Sequence, residues 1–468
     1  MGMTPEFNTK SKMINPTLSL VIVLCIISTF TPGCTSNRAY RTAISPENPA
    51  LPVTNPTNAV IEASAEYKLG FVEIDDQGWF YDPRQKEAVE DMINQQIGKK
   101  ATPGSAAIIV LFVHGWKNNA AFDNTNVQTF RIALKQLSAL ENTLATNEQR
   151  PPRVLIGVYA GWRGLSIKSD YFPIPLGKET TFWSRKNAAQ RVGAYGAMTE
   201  LIMNLEELQR TANQALPTNA TQTKLIIVGH SFGADAVYHS ISQIVTERFV
   251  DTQGQAPGQV LKPIGDQVIF LNPAFEAARF YDLEQLARSL GTYAPDQRPV
   301  LSVFQSKGDW ATRDVFPIGQ WLGTLFQRYS SRRQKKSNLS SVGWYQPFLT
   351  HELRFMPDTP AAQAASTVNP TSGKHELRSR DKLPGVAENI MAQRKKWRSA
   401  SEPGTTNTFG SCVMISTPHY KPRDPIVVVS VDKAIMKDHD DIGNPVLINF
   451  LQEYIPFCDD ETVGSKQK

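Results

Sequence analysis

Residues 224–233 read KLIIVGHSFG, and this stretch decides the fold. Leu225 to Val228 are apolar and continuous, as in a short strand buried on both faces. Gly229-His230-Ser231-Phe232-Gly233 then has the Gly-x-Ser-x-Gly pattern of a sharp strand-to-helix turn. From Ala234 to Val250 the apolar residues Ala234, Val237, Ile241, Ile244 and Val245 fall at helical spacing. Strand, tight glycine-flanked turn and helix form the setting in which such a serine is a nucleophile. The following helix points backbone N–H groups and a partial positive charge at the turn, which suits a developing oxyanion.

Outward from this stretch the same rhythm repeats. Ala106 to Val113 (AAIIVLFV), Arg153 to Ala160, Gln267 to Leu271, Val300 to Phe304 and Ile426 to Val431 (IVVVSV) read as strands. Helical segments alternate with them: Arg84 to Ile97, Asn126 to Leu144, one long helix from Ser184 to Thr211, Phe275 to Leu290, and Pro445 to Tyr454. Alternation of this kind predicts an α/β fold with a mostly parallel sheet covered by helices on both faces. Ahead of it, Ala65 to Tyr81 reads as a β-hairpin turning at Asp75-Asp76-Gln77-Gly78.

The start of the chain reads as an export signal. Lys10 and Lys12 precede an apolar run from Leu18 to Phe30, which is short for a membrane span. Cys34 directly after Gly33 resembles the lipidated cysteine of a bacterial lipoprotein signal, although Thr31 stands where that pattern prefers leucine. An ordinary cleaved signal or an uncleaved anchor is the other reading. Two further cysteines, Cys412 and Cys458, are candidates for a disulfide in an exported protein. His351-Glu352 and His375-Glu376 lack a histidine four residues on, so the helical zinc motif is absent and no metal is expected.

A net charge of +5 over 468 residues is mild and gives no ground to expect a nucleic-acid partner. The charge is uneven, however. Between Arg328 and Arg398 there are 14 Lys/Arg against 5 Asp/Glu, and Pro357 to Ser372 is of low complexity. This segment reads as a basic, partly disordered insertion, suited either to an anionic membrane surface or to plain solvation.

Serine chemistry needs a base, a group to orient that base, and oxyanion donors. In a parallel sheet these converge when they sit beyond the carboxyl ends of the strands. Seven histidines allow a choice by elimination. His114 and His230 belong to glycine motifs and His239 lies inside the helix after the turn. His351 and His375 fall in the insertion, and His419 precedes its strand. His439 remains as base. Asp309 is the acid expected from its place after Val300–Phe304, with Asp314 the nearest rival and Glu276 a weaker one. The order serine, acid, histidine is the one known for α/β-hydrolases. Oxyanion donors are expected from the backbone N–H groups of Phe232 and Trp116. His114, Gly115, His230 and Trp162 are candidates for lining the substrate site. The aromatic loop from Tyr171 to Leu176 (YFPIPL) is a candidate wall of an acyl pocket.

Taken together, LFVHGW, VGHSFGA, the Asp309 loop and the DHDDI ending resemble the α/β-hydrolase superfamily. More narrowly, VHGWKNNA, GVYAGWRG and FWSRKNAAQRVGAYG resemble uncharacterised bacterial and fungal esterase- or lipase-like hydrolases. The resemblance covers roughly Ala106 to Asp314 and Pro425 to Phe457. It implies a serine nucleophile, an acyl-enzyme and no cofactor. The expected organisation is a signal over 1–34, a flexible tether over 35–64 and a hydrolase core over 65–317. The basic insertion follows over 318–410, then the last strand and helix over 411–457 and a tail over 458–468. The expected activity is cleavage of a small-molecule ester or lipid by an exported, membrane-anchored lipoprotein. A catalytically silent scaffold and a membrane-surface binding protein are the alternatives.

Overall fold

A computed structural model describes residues 35–458, apart from 36, 47, 53–56, 99–100, 102–103, 166–181, 218–219, 254–259, 262, 290–292, 358–384 and 401. Cys34, His375 and the 171–176 loop lie outside the described residues. Among the described residues, 11 strands form one sheet. In chain order its strands are β1 Ile61–Ala63, β2 Tyr67–Ile74, β3 Ala107–Val113, β4 Val154–Trp162, β5 Lys224–His230 and β6 Gln267–Leu271. They continue as β7 Leu301–Ser306, β8 His351–Phe355, β9 Thr406–Phe409, β10 Cys412–Ser416 and β11 Ile426–Val431. Their spatial order is β1-β2-β4-β3-β5-β6-β7-β11-β8-β10-β9. Every neighbouring pair from β2 to β8 is parallel, while β1 and the β8-β10-β9 end are antiparallel.

Ten helices among the described residues cover the sheet. They are α1 Pro83–Ile97, α2 Thr125–Asn147, α3 Phe182–Ala194, α4 Ala197–Gln214 and α5 Phe232–Gln253, then α6 Ala277–Ser289, α7 Phe316–Gly323, α8 Arg332–Leu339, α9 Val386–Ser399 and α10 Pro445–Cys458. The pleat sends alternate residues of β3 into two cores, one on each face. Ala107, Ile109, Leu111 and Val113 join the first core, and Ile108, Val110 and Phe112 the second. Burial on both faces is why this strand reads as a continuous apolar run rather than an alternating one.

Three expectations are corrected. The hairpin pairs β1 with β2; Trp79-Phe80-Tyr81 contribute a single bridge, Ile74 with Phe80, because Asp82 already caps α1 by accepting from the Arg84 N–H. The long helix over 184–211 breaks into α3 and α4, because Gly196 takes φ +113, which no helical residue can hold. Part of the basic segment belongs to the sheet, while its low-complexity stretch over 358–372 lies outside the described residues. Its β8 pairs in parallel with β11, and β9 and β10 extend the sheet past it. Period-two alternation was hidden among charges there: His351 and Leu353 are buried, whereas Glu352 and Arg354 point outward. β11, the last strand in chain order, lies inside the sheet, between β7 and β8. Cys412 and Cys458 are buried thiols with no disulfide between them.

Candidate active site

The turn after β5 sets the geometry. Ser231 follows His230 with φ +55, a left-handed conformation that costs a non-glycine residue about 1–3 kcal/mol. Neighbouring glycines make the turn fit. A side chain at Gly233 would put Cβ 2.1 Å from the Val113 carbonyl oxygen, and one at Gly115 would put it 2.6 Å from Ser231 Cβ. The loop after β3 therefore lies directly on the serine. Phe232 opens α5, so its N–H has no carbonyl one turn back within the helix. The Ser231 N–H, by contrast, is taken by the Leu271 carbonyl at 3.0 Å.

Three loops at the carboxyl edge meet here. His439 Nε2 lies 2.7 Å from Ser231 Oγ, and His439 Nδ1 lies 2.8 Å from Asp309 Oδ2. All three residues are buried. Asp309 also accepts from Gln305 Nε2 (2.9 Å), Thr312 Oγ1 (2.6 Å) and the Thr312 N–H (3.0 Å). Burial alone would raise its pKa. The imidazolium charge of His439 and these donors reverse that and hold the carboxyl at about 2. Burial would likewise lower His439, but the Asp309 carboxylate, aided by Asp440, keeps it above its ordinary value. Asp314, the rival acid, is exposed and paired with Arg313. Glu276 is buried in an ion pair with Lys186. Neither touches His439.

The histidine loop is held from below. His230 Nε2–H donates to the His439 carbonyl at 2.9 Å, and Asn272 Nδ2 donates to the same oxygen at 3.0 Å and to Asp438 O at 3.1 Å. Asn272 Oδ1 accepts from the Ser306 N–H at 2.8 Å, which ties the loop after β6 to β7. Sequence reasoning passed over Asn272, Gln305 and Thr312. Asn272-Pro273 directly after an apolar strand was the available signal, since asparagine tolerates the positive φ of +44 found there.

The remaining candidates take different places. His114 and Trp162 serve each other. The Trp162 N–H donates to His114 Nε2 (3.0 Å), Trp162 Nε1 donates to His114 O (2.8 Å), and the rings stack 5.6 Å apart. His114 Nδ1–H is therefore the protonated position and donates to Gly115 O at 2.9 Å. Burial pushes this imidazole down to about 4, so it is neutral. Both rings are buried in this clamp, which fixes the turn behind Gly115 rather than facing a substrate. His230 is also buried and held neutral, at about 4, by burial and by its neighbour His439. Trp116 is buried edge-on against Phe182.

His230, His439 and Asp440 bring three ligand-type atoms within 4.8 Å of one another, the one such group among the described residues. Both nitrogens of His439 and Nε2 of His230 are already engaged by protein partners.

Residues 197–343 match the model of a family described as "Alpha/beta hydrolase of unknown function (DUF900)". The match spans α4 to the stretch before β8 and includes Ser231 and Asp309, and it supports the α/β-hydrolase superfamily. No curated protein and no solved structure is similar enough to this chain to be matched.

Proposed function

We propose that this protein is a serine hydrolase that cleaves carboxylic esters through an acyl-enzyme. One observation carries the reading: an unbroken line of hydrogen bonds from Ser231 Oγ through the His439 ring to Asp309. In the proposed cycle His439 Nε2 takes the Ser231 proton as Oγ bonds to the ester carbonyl carbon. The carbonyl electrons move onto oxygen, where the N–H groups of Phe232 and Trp116 receive the charge. Collapse of this intermediate expels the alcohol, which leaves with the proton from His439. A water then gives its proton to His439 and attacks the acyl carbon, and Ser231 departs with that proton restored. Asp309 keeps Nδ1 protonated and stabilises the imidazolium throughout.

The same reading places the protein outside the cytoplasm as a lipoprotein, on the strength of Lys10, Lys12, the apolar run and Cys34. A second reading has its own support. Ser231 is 2% exposed and His439 8% exposed, as a silent scaffold with no access for substrate would be. Fluorophosphonate labelling with mass mapping separates the two. An adduct on Ser231 that disappears in His439→Ala, together with hydrolysis of a short-chain nitrophenyl ester, is expected. Folded protein that gains no adduct would leave the scaffold reading standing.

A further inference from the structure

Helix α7 faces the wrong way for a soluble surface. Its inward side carries Phe316, Gly319 and Gln320. Gln320 Oε1 accepts from Lys186 Nζ at 2.9 Å, and its Nε2 donates to Glu276 at 2.6 Å. The outward side is apolar. Ile318 is 61% exposed, Trp321 50%, Leu322 53%, Leu325 49% and Phe326 99%. Ile318, Trp321 and Leu322 follow the i, i+3, i+4 spacing of one stripe on the helix, and Leu325 and Phe326 extend the apolar surface into the turn beyond. Trp310, directly after Asp309, is exposed as well. A contiguous apolar patch of this kind marks a contact surface.

The cations beside it choose the partner. Between Asp314 and Glu352 the chain has no acidic residue and five basic ones: Arg328, Arg332, Arg333, Lys335 and Lys336. All five are exposed, four of them on α8, which packs against α7. None is joined to a carboxylate in an ion pair among the described residues. Apolar side chains flanked by cations without a carboxylate partner, one of which (Arg333) lies over the Tyr281 ring at 4.7 Å, suit the boundary between acyl chains and anionic headgroups. Among the described residues no helix is long and apolar enough to cross a membrane, so the element would lie on a bilayer.

We propose that α7, the turn through Phe326 and α8 form an interfacial docking face for an anionic lipid bilayer. Ile318, Trp321, Leu322, Leu325 and Phe326 enter the bilayer surface, and the five cations hold lipid phosphates. The face starts at Phe316, seven residues after Asp309, so docking turns the carboxyl edge of the sheet toward the lipid. This inference stands whether or not Ser231 is a nucleophile.

The test uses the full chain with vesicles of phosphatidylcholine, with or without phosphatidylglycerol, carrying brominated acyl chains that quench tryptophan on contact. Emission should fall on phosphatidylglycerol vesicles, with binding at least about tenfold weaker on neutral ones. Trp321→Phe should remove part of the quenchable emission. Leu322→Glu with Phe326→Glu should abolish the contribution of Trp321. These side chains are exposed, and matching circular dichroism verifies the fold. Equal quenching in the wild type and Trp321→Phe, on protein held to the vesicle by its N-terminal apolar run alone, would overturn the proposal. It would also fail if Trp321 stayed unquenched while the double substitution changed the oligomeric mass in solution, because a second copy would then be the occupant.

Discussion

Replacing Asp309 with asparagine tests the hydrogen-bond line at its anchored end. The carboxylate accepts four donors: His439 Nδ1, Gln305 Nε2 and Thr312 Oγ1 at Oδ2, and the Thr312 N–H at Oδ1. An amide has one oxygen. With that oxygen toward His439, its NH₂ opposes the Thr312 N–H. Turned over, the NH₂ meets His439 and forces the proton from Nδ1 to Nε2, where it blocks the base. The equivalent exchange in an unrelated triad costs about 10⁴-fold in rate, and a loss of this size is expected here, roughly 5 kcal/mol of barrier. Stability falls as well. Holding the carboxyl at about 2 instead of its ordinary 3.8 corresponds to roughly 2 kcal/mol in favour of the folded state. For a depressed carboxyl that contribution is complete above pH 3.8 and vanishes as the pH falls through about 2. The substitution therefore removes it at neutral pH. It also removes the main cause that raises His439, so the limb on which activity grows with pH moves to lower pH. The assay is the second-order rate of fluorophosphonate labelling between pH 5 and 9, with urea midpoints alongside. A variant labelling within about tenfold of wild type, its limb unmoved, would refute the assigned role of Asp309.

Three further outcomes are expected. Gly115→Ala drives a Cβ to within 2.6 Å of Ser231 Cβ and 2.9 Å of His230 Nδ1, and should slow labelling by about 10²-fold by displacing the loop; wild-type rates would disprove the close approach. Asn272→Gly keeps the φ of +44 accessible while deleting the donors to the His439 and Asp438 carbonyls. Labelling should fall about 10–100-fold on a folded protein, and an unchanged rate would mean that His230 alone holds the loop. Lys186→Met leaves Glu276 buried with Arg279 as its only remaining ion-pair partner among the described residues, and should cost about 3 kcal/mol in urea denaturation; a loss under about 0.5 kcal/mol would show that Glu276 does not need the lysine.

Much of the architecture was legible because burial on both faces writes itself as an apolar run. AIIVLFV, KLIIVGH and IVVVSV became β3, β5 and β11 within a residue or two. The choice of His439 and Asp309 rested on which strand end each followed, and in the structure those ends meet. Half-buried strands left a fainter trace. In β8, outward Glu352 and Arg354 gave His351-Glu-Leu-Arg-Phe the look of a basic loop. The break at Gly196 was missed because the apolar spacing continues across it. His114 and Trp162 looked like substrate contacts because they flank glycines at the right edge. Their mutual hydrogen bonds depend on the pairing of β3 with β4, which no local pattern announces. Asn272 escaped for the same reason, since its partners lie 166 and 167 residues away.

The interior position of β11 has a consequence for how the protein is born. His439 is made 208 residues after Ser231. At about 5–20 residues per second the ribosome takes on the order of 10–40 s to cover that distance. Both neighbours of β11, β7 and β8, emerge first and must leave a slot that the later strand fills. Through that interval the nascent chain carries Ser231 without its partner His439. In the mechanism proposed above, closing the sheet is then the same event as arming the site, and a polypeptide released before residue 439 would lack the base however well its elbow had folded.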